Sequence, residues 1–199
     1  MIWDTLSHVY DLGESVINGK VFRGIAEEIG KYINADDDVL ECACGTGLLS
    51  RPVAERCHTL VATDASVGML NTARKKLAGF DNVRLRRMDI MDIPYKAELF
   101  DVVIAANVIH LLDDPKKAAD GFRRVCKKGG RIIIPTYIDR SEKTAQRLRT
   151  LFSVIGIDFK RSFDYKQYKD FIESLGFKNV SYSLVDGRMP CVFAVISNV

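Results

Sequence analysis

A run that is apolar on both faces, Phe100 to Ala106 (FDVVIAA), leaves this chain few architectures. A strand with one wet face alternates polar and apolar residues, whereas a strand covered on both sides exposes neither. FDVVIAA therefore reads as a central strand of a mostly parallel sheet with helices above and below it. The flanking segments supply the neighbours. Val16 to Ile33 has apolar residues at Val21, Ile25, Ile29 and Ile33, the spacing of one helix face. Asp36, Asp37 and Asp38 break that pattern, and Val39 to Cys44 reads as a buried strand entering Gly45-Thr46-Gly47. A helix is expected from Leu48 to Cys57, with Pro52 tolerated only in its first turn. Leu60 to Thr63 is the next strand, ending at Asp64. Ser66 caps a helix with its apolar stripe at Leu70, Ala73 and Leu77.

The alternation continues. Val83 to Met88 reads as a strand ending at Asp89, and FDVVIAA follows it. Asp114-Pro115 opens a helix as cap and first residue, Gly129-Gly130 is expected to close it, and Arg131 to Tyr137 is the fifth strand. Helices are expected over Ser141 to Ile155 and Asp164 to Leu175. Val180 to Leu184 and Met189 to Ile196 form a hairpin through a two-residue Asp186-Gly187 turn. The implied fold class is α/β: a doubly wound, seven-stranded, mostly parallel sheet closed by a C-terminal antiparallel hairpin. No repeat, low-complexity tract or linker interrupts the chain, so residues 1–199 are expected to form a single domain. Residues 1–35 would supply an N-terminal lid and helix, and 138–163 an insertion.

Composition narrows the function. The 29 basic and 26 acidic side chains leave a formal charge of +3, mild for a protein that grips a phosphate backbone, so nucleic acid is an unlikely partner. No apolar run approaches the ~18 residues of a membrane span, and the first residues lack the pattern of a secretory signal. Five cysteines without framework spacing suit reduced, buried thiols and a cytoplasmic location. Cys42-x-Cys44 cannot alone complete a four-ligand site, so no metal is expected.

Ligands of doubly wound sheets bind beyond the carboxyl ends of the strands, and the polar residues of this chain gather there. Glu41 lies inside an apolar strand, where an unpaired carboxylate is costly, and so calls for an ammonium or a set of N–H donors. Gly45 and Gly47 let the backbone turn sharply beside a ligand. Asp64 suits a pair of vicinal ribose hydroxyls. Asp89 with Ile90 offers a carboxylate for an exocyclic amine next to an apolar contact for a purine face. Asn107 and Val108 stand where the chain leaves the central strand.

VLECACGTG, VATDAS..ML, RRMDIMDIPY, FDVVIAANVIHLL and GGRIIIPTY occur in this order, and from Val39 to Tyr137 the chain resembles the class I S-adenosylmethionine (SAM)-dependent methyltransferases. It looks most like their small-molecule branch, which includes quinone-biosynthesis C-methyltransferases. The resemblance implies a Rossmann-like fold and SAM as cofactor, with S-adenosylhomocysteine as product. It implies a cofactor site of Glu41, Ala43, Cys44, Gly45 and Gly47 around the amino-acid tail. Asp64 would lie at the ribose, Asp89 and Ile90 at the adenine, Asn107 and Val108 beside the tail, with Ala65 and Met69 also binding the cofactor. The family pattern has glycine where this chain has Ala43; its methyl fits if φ is negative there.

Transfer from a sulfonium needs alignment more than a base, so candidate catalytic residues are few: His110, which titrates near neutrality, and Tyr10 on the lid. The implied partner is a small-molecule acceptor, and the chain would act as a monomer or homodimer. Three rivals stand beside this reading. Gly45-x-Gly47-x-x-Ser50 is also a degenerate nicotinamide fingerprint, but that reading leaves Asp89 and Asn107 without a role. An RNA methyltransferase acting on base amines would resemble enzymes with an Asn/Asp-Pro-Pro-aromatic signature after the fourth strand, where Asn107-Val108-Ile109-His110 stands. A catalytically silent SAM-binding module is the third, supported by Ala43.

Overall fold

A computed structural model describes residues 23–139, 161–187 and 189–199. The expected lid with Tyr10, the helix over Ser141 to Ile155 and most of the 138–163 insertion lie outside the described residues. Seven strands form one sheet: β1 (Asp38–Cys42), β2 (Thr59–Asp64), β3 (Val83–Arg87), β4 (Phe100–Ile104), β5 (Cys126–Tyr137), β6 (Val180–Val185) and β7 (Cys191–Ser197). Their order is β3-β2-β1-β4-β5-β7-β6. The first five run parallel, and β7 enters antiparallel between β5 and β6. The α/β doubly wound architecture expected from FDVVIAA is the one observed.

Two cores flank the sheet. On one face α1 (described over 23–30), α2 (Ser50–Ala54) and α3 (Val67–Lys76) bury Ile25, Ile29, Val53 and Leu70 against Val39, Leu60, Val102 and Ile104. On the other, α4 (Pro115–Val125) and α5 (Tyr165–Ser174) bury Phe122, Val125, Tyr168 and Ile172 against Leu40, Val103, Ile132 and Ile134. Val102 and Val103, adjacent in β4, thus belong to opposite cores, which is why the strand reads apolar on both faces beyond Asp101. The helix starts follow local chemistry. Ser66 accepts from the Met69 N–H at 3.1 Å, Asp114 from the Lys117 N–H at 2.9 Å with Pro115 next, and Asp164 forms a capping box with Gln167. Pro52 falls within the first turn of α2.

Several boundaries differ from expectation. β1 stops at Cys42 and β4 at Ile104, two residues early in each case, because the chain turns out of the sheet to build the site. Helix α4 ends at Val125, not at Gly129-Gly130, and β5 begins at Cys126 rather than Arg131. The glycines sit in a bulge: the partners of β4 jump from Phe100↔Cys126 to Val102↔Arg131. Gly129 has φ +75°, and a Cβ on Gly130 would lie 2.7 Å from the Asp101 carbonyl. The C-terminal hairpin pairs Val185 with Cys191, so its loop spans 186–190 instead of two residues. Pro190 is held outside the ladder, its carbonyl accepting from the Ile138 N–H at 2.9 Å.

The amino ends of the strands are tied by charge. Both carboxylate oxygens of Asp37 accept from Arg131 at 2.8 Å, and Asp37 is only 6% exposed. Lys127 binds Asp101 at 2.8 Å, and Asp101 accepts from the Asp38 N–H at 2.9 Å. Removing one partner of a buried pair leaves the other charge uncompensated. With Arg131 half-buried and Asp37 still accepting from the Asn34 N–H, Arg131→Met is expected to cost about 1.5–3 kcal/mol of unfolding free energy, read from urea denaturation. A loss below 1 kcal/mol would show the pair to be dispensable.

Candidate cofactor and acceptor site

The order of the sheet reverses between β1 and β4, and the segments leaving these two strands diverge there. Beyond their carboxyl ends lies a cavity of about 420 Å³, within the range of small-ligand sites. Glu41, Asp64 and Asp89, from three different strand ends, all line it. So do Ala43, Cys44, Gly45, Ala65, Met69, Ile90, Asn107 and Val108. Of the residues expected around the cofactor only Gly47 is absent from the wall. Its φ is +79°, and a Cβ there would meet that of Ala73 at 3.1 Å: Gly47 lets α3 pack against the turn rather than opening it to a ligand.

The turn itself is strained in one place. Gly45 adopts φ +56°, and a Cβ added to it would meet nothing within 4 Å, so the backbone is open to an approaching group. Ala43 also adopts φ +56°, in the left-handed region, and not the negative φ that would accommodate its methyl without strain. The turn demands this conformation whichever residue fills it. The Cys44 N–H must point back to the Thr63 carbonyl, which it reaches at 2.8 Å.

Asp64 fastens the turn to its own strand. One oxygen accepts from the Gly45 N–H at 2.9 Å and the other from the Ser66 N–H at 2.8 Å. A carboxylate has about four acceptor positions, more than these two backbone bonds use. Asp89 is exposed and accepts from the Met91 N–H at 2.9 Å, which folds the chain after β3 across the cavity edge. Asn107 has φ +51°, a conformation asparagine tolerates better than most residues. Its N–H donates to the Pro135 carbonyl at 2.8 Å, and its side-chain Oδ1 accepts from the Tyr137 N–H at 3.0 Å. The side chain thereby extends the β4–β5 ladder past the end of β4 and fixes which way the amide faces.

Glu41 is the most buried ionisable group of the wall, at 2% exposure. Its carboxylate accepts from the Ser50 hydroxyl at 2.6 Å. Burial pushes its pKa up to about 7; the Ser50 bond opposes that shift and the nearby Asp64 charge adds to it. The Cys44 thiol is likewise held well above its ordinary range by burial, and is neutral. His110 is buried in the 3₁₀ turn Ile109–Leu111 and is not among the residues that line the cavity. Burial lowers its pKa to about 4, leaving it uncharged at neutral pH. The sequence reading missed Ser50 as the partner of Glu41, and Asp113 and Tyr137 as parts of the wall. Ser50 was legible as the first hydroxyl at a helix start behind the glycine turn. Asp113 and Tyr137 carried no such signal.

Residues 40–134 match the methyltransferase domain model. The chain is 33% identical over 136 residues to the demethylmenaquinone methyltransferase of Clavibacter sepedonicus, covering 67% of this chain and 55% of that protein. The chain belongs to the class I SAM-dependent methyltransferases. Within the family it is also 32% identical over 128 residues to the phosphatidylethanolamine N-methyltransferase of Cereibacter sphaeroides, covering 62% of this chain and 63% of that one. It thus spans less than two thirds of the length of either methyltransferase. The solved DhpI–SAM–HEP complex shares its fold, with a TM-score of 0.74 at 21% identity over 97% of this chain and 93% of the other.

Since the left-handed backbone at residue 43 favours glycine, Ala43→Gly is expected to relieve the strain. The expected gain is up to about 1 kcal/mol in urea-monitored stability. A loss of stability would mean that the methyl contributes packing worth more than the strain.

Proposed function

We propose that the chain is a SAM-dependent methyltransferase acting on a small-molecule acceptor. The observation that carries this reading is the convergence of Glu41, Asp64 and Asp89, from three neighbouring strand ends, on one cavity. The residues fit the cofactor chemically. Buried Glu41 suits the ammonium of the amino-acid tail, and open Gly45 leaves room for that tail. Asp64 places a carboxylate in the wall suited to the ribose hydroxyls. Asp89 is exposed to the cavity edge for the adenine amine, with buried Ile90 beside it as an apolar surface.

SAM, when bound, supplies an activated methyl group on a positively charged sulfur. The protein then has to align the acceptor and exclude water, since in-line displacement from such a leaving group depends on orientation. Leu111, Leu112 and Tyr137 give the wall an apolar sector beside Asn107, suited to an uncharged acceptor skeleton. Proton transfer is not assigned to His110, which is buried and absent from that wall. The curated relatives are named for demethylmenaquinone and phosphatidylethanolamine, and the acceptor of this chain is sought among quinols and amines of that kind.

Two measurements test the reading. Asp64→Ala is expected to weaken SAM binding by about 1–3 kcal/mol in calorimetry, the value of hydrogen bonds to a charged group. Asp64→Asn should lose less, because it keeps an acceptor for the Gly45 N–H. Unchanged affinity in both would remove Asp64 from the site. His110→Ala is expected to change turnover and cofactor affinity by similar factors; a selective loss of turnover would restore a role in proton transfer. The strained Ala43 favours one second reading, a module that binds SAM without transferring its methyl. Binding accompanied by methylation of a quinol or amine acceptor excludes it.

A further inference from the structure

Glu41 is an anomaly within the cavity. A carboxylate taken out of water needs a cation or several donors, yet this one is 2% exposed and accepts one side-chain hydrogen bond, from Ser50 at 2.6 Å. Among the described residues no lysine, arginine or histidine forms an ion pair with it. The groups around it, among the described residues, add no positive charge. Its own strand and the following turn bring the thiols of Cys42 and Cys44, β2 brings the acid Asp64, α2 brings only the Ser50 hydroxyl, and its β4 partner is Ile104. A second carboxylate close by makes the ionised form costlier still.

We propose that Glu41 exchanges a proton for a cation: in the ligand-free protein its carboxyl carries a proton, which leaves when the ammonium of an amino-acid tail enters the cavity. This rests on the assignment of SAM to the site. The O–H bond of the carboxyl breaks, the proton passes to solvent, and the ammonium arrives charged and keeps its own protons. Ser50 continues to donate to the carboxylate throughout. Burial, reinforced by the Asp64 charge and opposed by the Ser50 bond, brings the group up to about 7, so at pH 6 most molecules hold the proton before binding. Binding must then displace it, and the apparent affinity for SAM falls about tenfold from pH 8 to pH 6.

The test is calorimetric titration of the full chain at pH 6 and pH 8, each in two buffers of different ionisation enthalpy. The ligands are SAM, S-adenosylhomocysteine and 5′-methylthioadenosine, the last lacking the amino-acid tail. At pH 6 the two tailed ligands are expected to release close to one proton, a value that falls towards pH 8, and methylthioadenosine none. Glu41→Gln should abolish the release and flatten the pH dependence of SAM affinity. Should that variant not fold, Ser50→Ala serves instead: removing the hydrogen bond that favours the ionised form should move the release to higher pH. Buffer-independent heat at pH 6 overturns the proposal. Equal release with methylthioadenosine, or release that survives in Glu41→Gln, does so as well. Failure of the wild type to bind any of the three at pH 8 overturns the cofactor assignment itself.

Discussion

A doubly wound sheet opens a crevice only where neighbouring strands send their connections to opposite faces, and in this chain that place lies between β1 and β4. Everything at the site depends on how the two strands end there. β1 breaks off at Cys42 into the Ala43–Gly47 turn, and β4 breaks off at Ile104 while its partner β5 continues to Tyr137. Asn107 bridges the gap with its own side chain, substituting for the missing strand residues. The cavity exists because the ladder is cut short, and Asp64 and Asn107 make the hydrogen bonds that hold the cut ends in place.

The same constraint explains why non-glycine residues here adopt left-handed backbone. Ala43 and Asn107, with φ of +56° and +51°, each follow the end of a central strand. A reversal immediately after an extended strand requires such a conformation, and the surrounding hydrogen bonds outweigh a cost of about 1–2 kcal/mol per residue. Asparagine meets the requirement with a side chain that mimics the backbone. Alanine meets it with nothing in return, which makes Ala43 the least explained residue of the wall.

Much of this was legible beforehand for identifiable reasons. FDVVIAA announced a strand covered on both faces because period-two alternation is absent from it. Ser66, Asp114-Pro115 and Asp164 announced helix starts because capping is a local interaction between residues three apart. The acids at strand ends were readable because polar groups rarely close an apolar run without purpose. What escaped was non-local. The bulge at Gly129-Gly130 follows from register against β4, and the five-residue hairpin loop from the docking of Pro190 on Ile138. The conformation of Ala43 follows from a hydrogen bond to Thr63 on another strand. Sequence spacing holds no information on which partner a backbone group will find across the sheet.

The two ends of the central strands show a division of labour. Near the starts of β1 and β4, Asp38, Asp101 and the neighbouring Arg131 of β5 are engaged by hydroxyl, ammonium and carboxylate partners. The Thr59 hydroxyl, first among the causes that lower it, holds the Asp38 carboxyl below its usual range. At the ends of the same strands or just beyond them, Glu41 is pushed upward by burial, and Asn107 is held in a left-handed conformation. A few residues along β1 separate a carboxylate that favours its charge from one that resists it. Charge pairs collect at the end away from the cavity, while the buried carboxyl of Glu41 and the left-handed backbone collect at the cavity wall, where on the proposed function a cationic ligand would relieve the first. Such an arrangement lets the sheet remain folded although its carboxyl end carries a buried acid and strained backbone.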